Sequence, residues 1–134
     1  AVPSYPVHIS INTNVGEYVH FKPDYVNAYI IVDKKGIHFG AQTYPYTDLT
    51  QYGYAGTVIN VNMMNQYSAF DLCCPHCIQK DQPVIVDGGF ADCPICGESF
   101  ELMNGMGTPS KGISKQSLRS FKTMYVNGIV QVNN

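Results

Sequence analysis

The sequence predicts an all-β chain folded as a single, mostly antiparallel domain over residues 1–134. Three observations carry this. Apolar residues recur with period two rather than at helical spacing, turn-forming residues punctuate the chain at short intervals, and the C-terminus carries a hairpin pattern. Twelve Gly, eight Pro and ten Tyr supply the turns and the β-prone aromatics.

Taken in chain order, Val7, Ile9 and Ile11 alternate with His8 and Ser10, the pattern of a half-buried strand. Tyr25 to Val32 is a longer β-prone run that stops at the turn Asp33-Lys34-Lys35-Gly36. Ala41 to Gly53 has Tyr and Pro but no period and reads as a long loop. Thr57 to Met63 places Ile59 and Val61 on one face and Val58, Asn60 and Asn62 on the other. A turn at Met64-Asn65-Gln66 returns the chain into Tyr67 to Leu72. Val84-Ile85-Val86 runs into the turn residues Asp87-Gly88-Gly89. Ser114 to Phe121 is the candidate for a short helix. Asn127-Gly128 then separates Thr123–Val126 from Ile129–Val132, and Asn-Gly suits the two positive φ angles of a type I′ hairpin turn.

The composition excludes several function classes. The chain is 45% hydrophobic and 13% charged, against about 25% charged in an average soluble domain, so it is not a disordered segment. Eight Lys+Arg against ten Asp+Glu give no basic excess for binding nucleic acid. No apolar run approaches the roughly 18 residues of a membrane span. The chain starts at Ala1 without an initiator Met or a signal-type segment, as expected if a targeting segment was removed or the chain was trimmed.

All five cysteines lie between Cys73 and Cys96. Cys74-x2-Cys77, a gap of about 15 residues, then Cys93-x2-Cys96 is the spacing of a four-cysteine zinc-type site. Two residues between ligands let a tight turn aim both sulfurs at one point while backbone N–H groups bend toward them. Pro75 and Pro94 preset φ, and Gly97 permits the close turn. Disulfide bonding is the competing reading, but an odd cysteine count leaves one thiol over. Cys73 is the non-ligand of the set, a small apolar residue at a strand end. His76 has two readings: the spacer before Cys77, or a ligand in Cys74-x-His76.

The second parsing resembles the Rieske iron–sulfur domain. That family carries Cys-x-His on one loop and Cys-x2-His on another, with the two His on the outer iron. Cys74-Pro75-His76 matches the first loop and Cys93 the second loop's cysteine. Gly53 through Tyr67–Asp71 is similar to the strands leading into the first loop. Cys93-Pro94-x2-Gly97-x2-Phe100-x-Leu102 resembles the second loop and its following strand. Gly105, Gly107, Pro109, Leu118, Phe121 and the Asn127-Gly128 hairpin resemble the tail.

The resemblance implies an antiparallel β-sandwich or barrel with a small metal-binding subdomain of two knuckle loops, approximately residues 73–102. It looks closest to Rieske-like domains of exported bacterial lipoproteins, which implies a lipid-anchored precursor and a periplasmic or membrane-anchored location. The departure lies in the ligands: Cys96 stands where the family has its second His, and Cys77 adds a thiolate beside His76.

Two outcomes follow. Cys74, Cys77, Cys93 and Cys96 bind one zinc or iron, or a [2Fe–2S] cluster keeps Cys74 and Cys93 on one iron, with Cys96 and either His76 or Cys77 on the other. Thiolates in place of imidazoles would draw the potential of such a cluster down from the Rieske range of about −150 to +300 mV toward the roughly −400 mV of all-cysteine clusters. The completeness of both knuckles favours the mononuclear site with zinc. The expected function is thus a non-enzymatic metal-binding module, with an electron carrier as the alternative.

Catalysis has little to rest on. His8, His20 and His38 are widely spaced polar residues on expected strand faces, the aspartates fall mostly in turns, and no nucleophile or phosphate motif appears. Gly53-Tyr54-Ala55-Gly56 is too short to cradle a phosphate and reads as a turn. Tyr44, Tyr46, Tyr52 and Tyr54 form either a binding face or a half-buried β surface.

Overall fold

A computed structural model describes all 134 residues. The chain is all-β. Its larger sheet is a nine-stranded antiparallel half-barrel built from β1 (Val7–Asn12), β2 (Tyr29–Asp33), β3 (Gly36–Phe39), β4 (Gln42–Tyr44), β5 (Gln51–Tyr52), β6 (Thr57–Val61), β7 (Tyr67–Asp71), β12 (Ser120–Val126) and β13 (Ile129–Asn133). The order across it is β4-β3-β2-β6-β7-β12-β13-β1-β5. A second sheet of four short strands, β8 (Ile85–Asp87), β9 (Phe90–Asp92), β10 (Ser99–Glu101) and β11 (Thr108–Pro109), lies in the segment between β7 and β12. No helix is long and apolar enough to cross a membrane.

Alternation sets the register. Val7, Ile9 and Ile11 point into the half-barrel while His8, Ser10 and Asn12 face solvent. The terminal hairpin forms as expected, with Val126 opposite Ile129 and Asn127 and Gly128 both at positive φ. A core of fourteen buried residues, among them Ile9, Phe21, Ile30, Val32, Ile59, Val61, Val130 and Val132, fills the half-barrel.

Strands β6 and β7 depart from simple alternation, because every residue in both is buried. They are a wall shared by two cores. Ile59, Val61, Tyr67 and Ala69 face the half-barrel. Val58 and Phe70 face a second core of ten residues that includes Leu72, Cys74, Val84, Cys93, Phe100 and Leu102. The second core sits under the small sheet, so the cysteine segment is anchored to the half-barrel by apolar packing across these two strands.

Four expectations are corrected. The β-prone run from Tyr25 becomes strand only at Tyr29: Tyr25 and Ala28 close turns onto Lys22 and Tyr25, and Asn27 has φ 75°. The stretch 41–53 is not one loop, since β4 pairs with β3 through Ile37 and Tyr44, and β5 pairs with β1 through Val7 and Tyr52. Ser114–Phe121 is no helix. The Ser114 hydroxyl bonds locally to Gln116, competing with helical bonding, and Leu118 donates instead to the Gly107 carbonyl. A short 3-10 helix, Gly16–Phe21, lies where none was expected and buries Phe21 completely.

Candidate metal centre

Each cysteine pair sits in a turn of the same construction. Ile78 N–H donates to the Cys74 carbonyl at 2.8 Å, and Gly97 N–H donates to the Cys93 carbonyl at 3.0 Å. The N–H groups of His76 and Cys77 point at the Cys74 sulfur, and those of Ile95 and Cys96 at the Cys93 sulfur. Closing such a turn requires a left-handed residue after the second cysteine. Gly97 meets this at φ 80°; Ile78 meets it at φ 52°, a conformation β-branched side chains avoid.

The two turns face each other. The sulfurs of Cys74, Cys77, Cys93 and Cys96 all lie within 4.8 Å of one another, with Cys74 Sγ 3.9 Å from Cys96 Sγ and Cys93 Sγ 3.8 Å from Cys77 Sγ. A tetrahedron of sulfurs around one metal with bonds of about 2.3 Å has edges of about 3.8 Å. Two of the six sulfur separations match that edge and the rest stay within 4.8 Å, so the group could hold a single tetrahedral ion. Cys74 and Cys93 are buried, whereas Cys77 and Cys96 are half-exposed, so one edge of the group faces the second core and the other faces outward. His76 is exposed and stands outside the group.

Electrostatics makes the group a poor set of free thiolates. Burial pushes the Cys74 thiol up to about 11 and Cys77 to about 12, with neighbouring sulfurs adding to both. Burial acts the same way on Cys93, but the N–H donors of Cys96 and Ile95 and the surrounding thiols outweigh it and hold that thiol below its ordinary value. Four thiolates this close repel one another, and a bound cation reverses that balance. Cys73 is completely buried and outside the group; burial, then the nearby Asp71 carboxylate, raises its thiol to about 12.

Two buried carboxylates frame the turns, and sequence reasoning missed both. Asp71, the last residue of β7 rather than a turn residue, accepts from Tyr54 N at 2.7 Å, Ala55 N at 3.1 Å and Cys73 N at 2.9 Å. This explains Gly53-Tyr54-Ala55-Gly56. The turn wraps the carboxylate, and a Cβ on Gly53 would lie 2.7 Å from Asp71 Oδ2. Burial raises the Asp71 carboxyl while those donors and Arg119 oppose it.

Glu98 is fully buried directly after the second turn. It accepts from Ser99 N at 3.0 Å, Lys111 N at 2.8 Å and Ser114 N at 2.8 Å. Burial acts to raise it, but these donors prevail and hold its carboxyl below the usual range. The available signal was position, an acid within a few residues of each cysteine pair.

The remaining candidates do not converge. His8 lies beside Asn133, His20 beside Tyr25, and His38 bridges Thr43 and Asp33 at 2.9 and 2.8 Å, each on a different element. Tyr44, Tyr46 and Tyr52 pack their rings against the half-barrel core, the half-buried arrangement, and Tyr54 stacks edge-on to Tyr5. Compared with protein-family models and with curated proteins, the chain matches none.

Proposed function

We propose that the chain is a non-enzymatic metal-binding module in which Cys74, Cys77, Cys93 and Cys96 hold one zinc ion. The observation that carries this reading is the close approach of the four sulfurs, with two separations equal to the edge of a tetrahedral site. Four protein sulfurs leave no open position for substrate or water, which favours a structural site over a catalytic one. Bound there, the ion would supply a cross-link between the two turns, and the chain's own backbone donors orient the sulfurs toward it. Iron in the same four-sulfur site would serve the same cross-link and could also pass one electron.

The scaffold is read as Rieske-like, since two ligand loops on a small sheet packed against a larger antiparallel sheet follow the pattern of the sequence resemblance. A [2Fe–2S] cluster suits the geometry less well, because two irons would spread the sulfur pairs apart and His76 lies outside the group. On the same resemblance the module is placed outside the cytoplasm, tethered through a lipid-anchored precursor. There a bound metal would also guard the thiols against oxidation.

Anaerobic purification with metal and acid-labile sulfide analysis tests the reading. It predicts a colourless protein with one zinc per chain. Iron with sulfide and a visible spectrum bleached by dithionite would replace it with the electron-carrier reading.

A further inference from the structure

Four of the five methionines fall on two turns that touch. Met63 and Met64 occupy the turn between β6 and β7, and Met103 and Met106 the turn after β10. The two turns are built alike. Asn62 Oδ1 accepts from Met64 N at 2.9 Å, and Asn104 Oδ1 accepts from Met106 N at 2.8 Å, so each asparagine presents a methionine two residues on. The turns are joined directly, Met63 N–H donating to the Met103 carbonyl at 3.0 Å. Gly105 comes so close that a Cβ there would meet Asn62 Nδ2 at 3.0 Å and the Met64 methyl at 3.3 Å. Met64 and Met106 line one groove of about 450 Å³, whose walls include Asn62, Asn104 and Phe70. Met63, Met64 and Met106 are 69%, 57% and 60% exposed, so they contribute little to either core.

A thioether has no proton to lose, carries no charge and is a soft donor, which makes it selective for soft d10 cations rather than for zinc, magnesium or calcium. The sulfur sits at the end of a flexible side chain, so several methionines on adjoining rigid turns can gather around one ion with little backbone change. We propose that these two turns form a thioether site for Cu(I), taken up as the monovalent ion, with Met64 and Met106, which share the groove, as its donors; Met103 lies outside it, its side chain packed toward Gly89. The site is separate from the four-cysteine group and does not depend on which metal that group holds. Met124, on β12 and outside both turns, is an internal control.

The test uses the full chain as isolated, labelled with ¹³C at the methionine methyl groups and titrated anaerobically with Ag(I) as the probe. A chromophoric indicator follows any metal released from the cysteines, which take silver first. Beyond that point, one further equivalent should shift the methyl signals of Met64 and Met106 and leave Met124 in place. The variant M64L/M106L keeps the apolar volume and should weaken this step at least tenfold while releasing metal from the cysteines as the wild type does. Methyl signals that move no more than that of Met124, or a step unchanged in M64L/M106L, would overturn the site.

Discussion

The half-barrel and the small sheet solve the same problem by different means. The half-barrel has strands of up to seven residues and a fourteen-residue apolar core closed by long antiparallel pairings. In the small sheet no strand exceeds three residues, and two of its core positions are the cysteines Cys74 and Cys93. Strands this short do not hold themselves together in water. The half-barrel has its own large apolar core, whereas the small sheet leans on the shared wall of β6 and β7, on the buried carboxylates and, in the proposed reading, on an ion between the four sulfurs. Stability should therefore divide along the chain, with metal dependence confined to one side of that wall.

The largest effect should come from the sulfurs. Cys93→Ser removes a buried sulfur of the four-cysteine group and should weaken metal binding by more than about 100-fold, since even residues behind metal ligands are worth about 10- to 100-fold. Metal removal should abolish hydrogen-exchange protection at Val84, Cys93 and Gly97 while Ile9 and Val132 stay protected. Loss of protection in both regions together would break the comparison.

Next in size is Glu98→Ala, which strips three backbone N–H groups of their acceptor and should cost about 3 kcal/mol in chemical denaturation of the metal-loaded protein. A cost below about 1 kcal/mol would show those groups well served without it.

The two cysteine turns offer a finer contrast, because Ile78 and Gly97 occupy equivalent left-handed positions. Nothing lies within 4 Å of a Cβ added at Gly97, so Gly97→Ala isolates the backbone term and should cost about 1–2 kcal/mol. Ile78→Gly should gain about 0.5 kcal/mol, the relieved strain exceeding the extra chain entropy lost on folding. Thermal denaturation of the metal-loaded variants reads both, and equal signs would contradict the equivalence.

The smallest loss of stability belongs to the half-barrel. The Tyr67 hydroxyl donates to the Phe21 carbonyl, and burial, then the neighbouring Tyr125, raises its ionisation above the ordinary tyrosine range. A raised folded value means that its contribution is fully present below pH of about 10 and is lost as pH rises through the folded value. Tyr67→Phe should cost about 1 kcal/mol at neutral pH and flatten the alkaline decline in denaturant midpoint.

Much of this was legible from residue patterns. Period-two alternation at Val7–Ile11 and the Asn127-Gly128 turn are local signals, and the doubled Cys-x2-Cys spacing carried the convergence of the sulfurs because each pair is fixed by its own turn. What escaped was non-local. Strands β4 and β5 are too short to show a period and exist because partners lie beside them. Asp71 and Glu98 gain meaning only when N–H groups from distant turns close around them. The full burial of β6 follows from a second core that packs on its outer face, which no window of residues 57–61 reveals.

X-ray absorption at the metal edge of the purified protein tests the central claim most directly. One ion surrounded by four sulfurs at about 2.3 Å, with no second metal nearby, is the predicted result. A metal–metal distance accompanied by inorganic sulfide, or a nitrogen ligand in place of one sulfur, would contradict it.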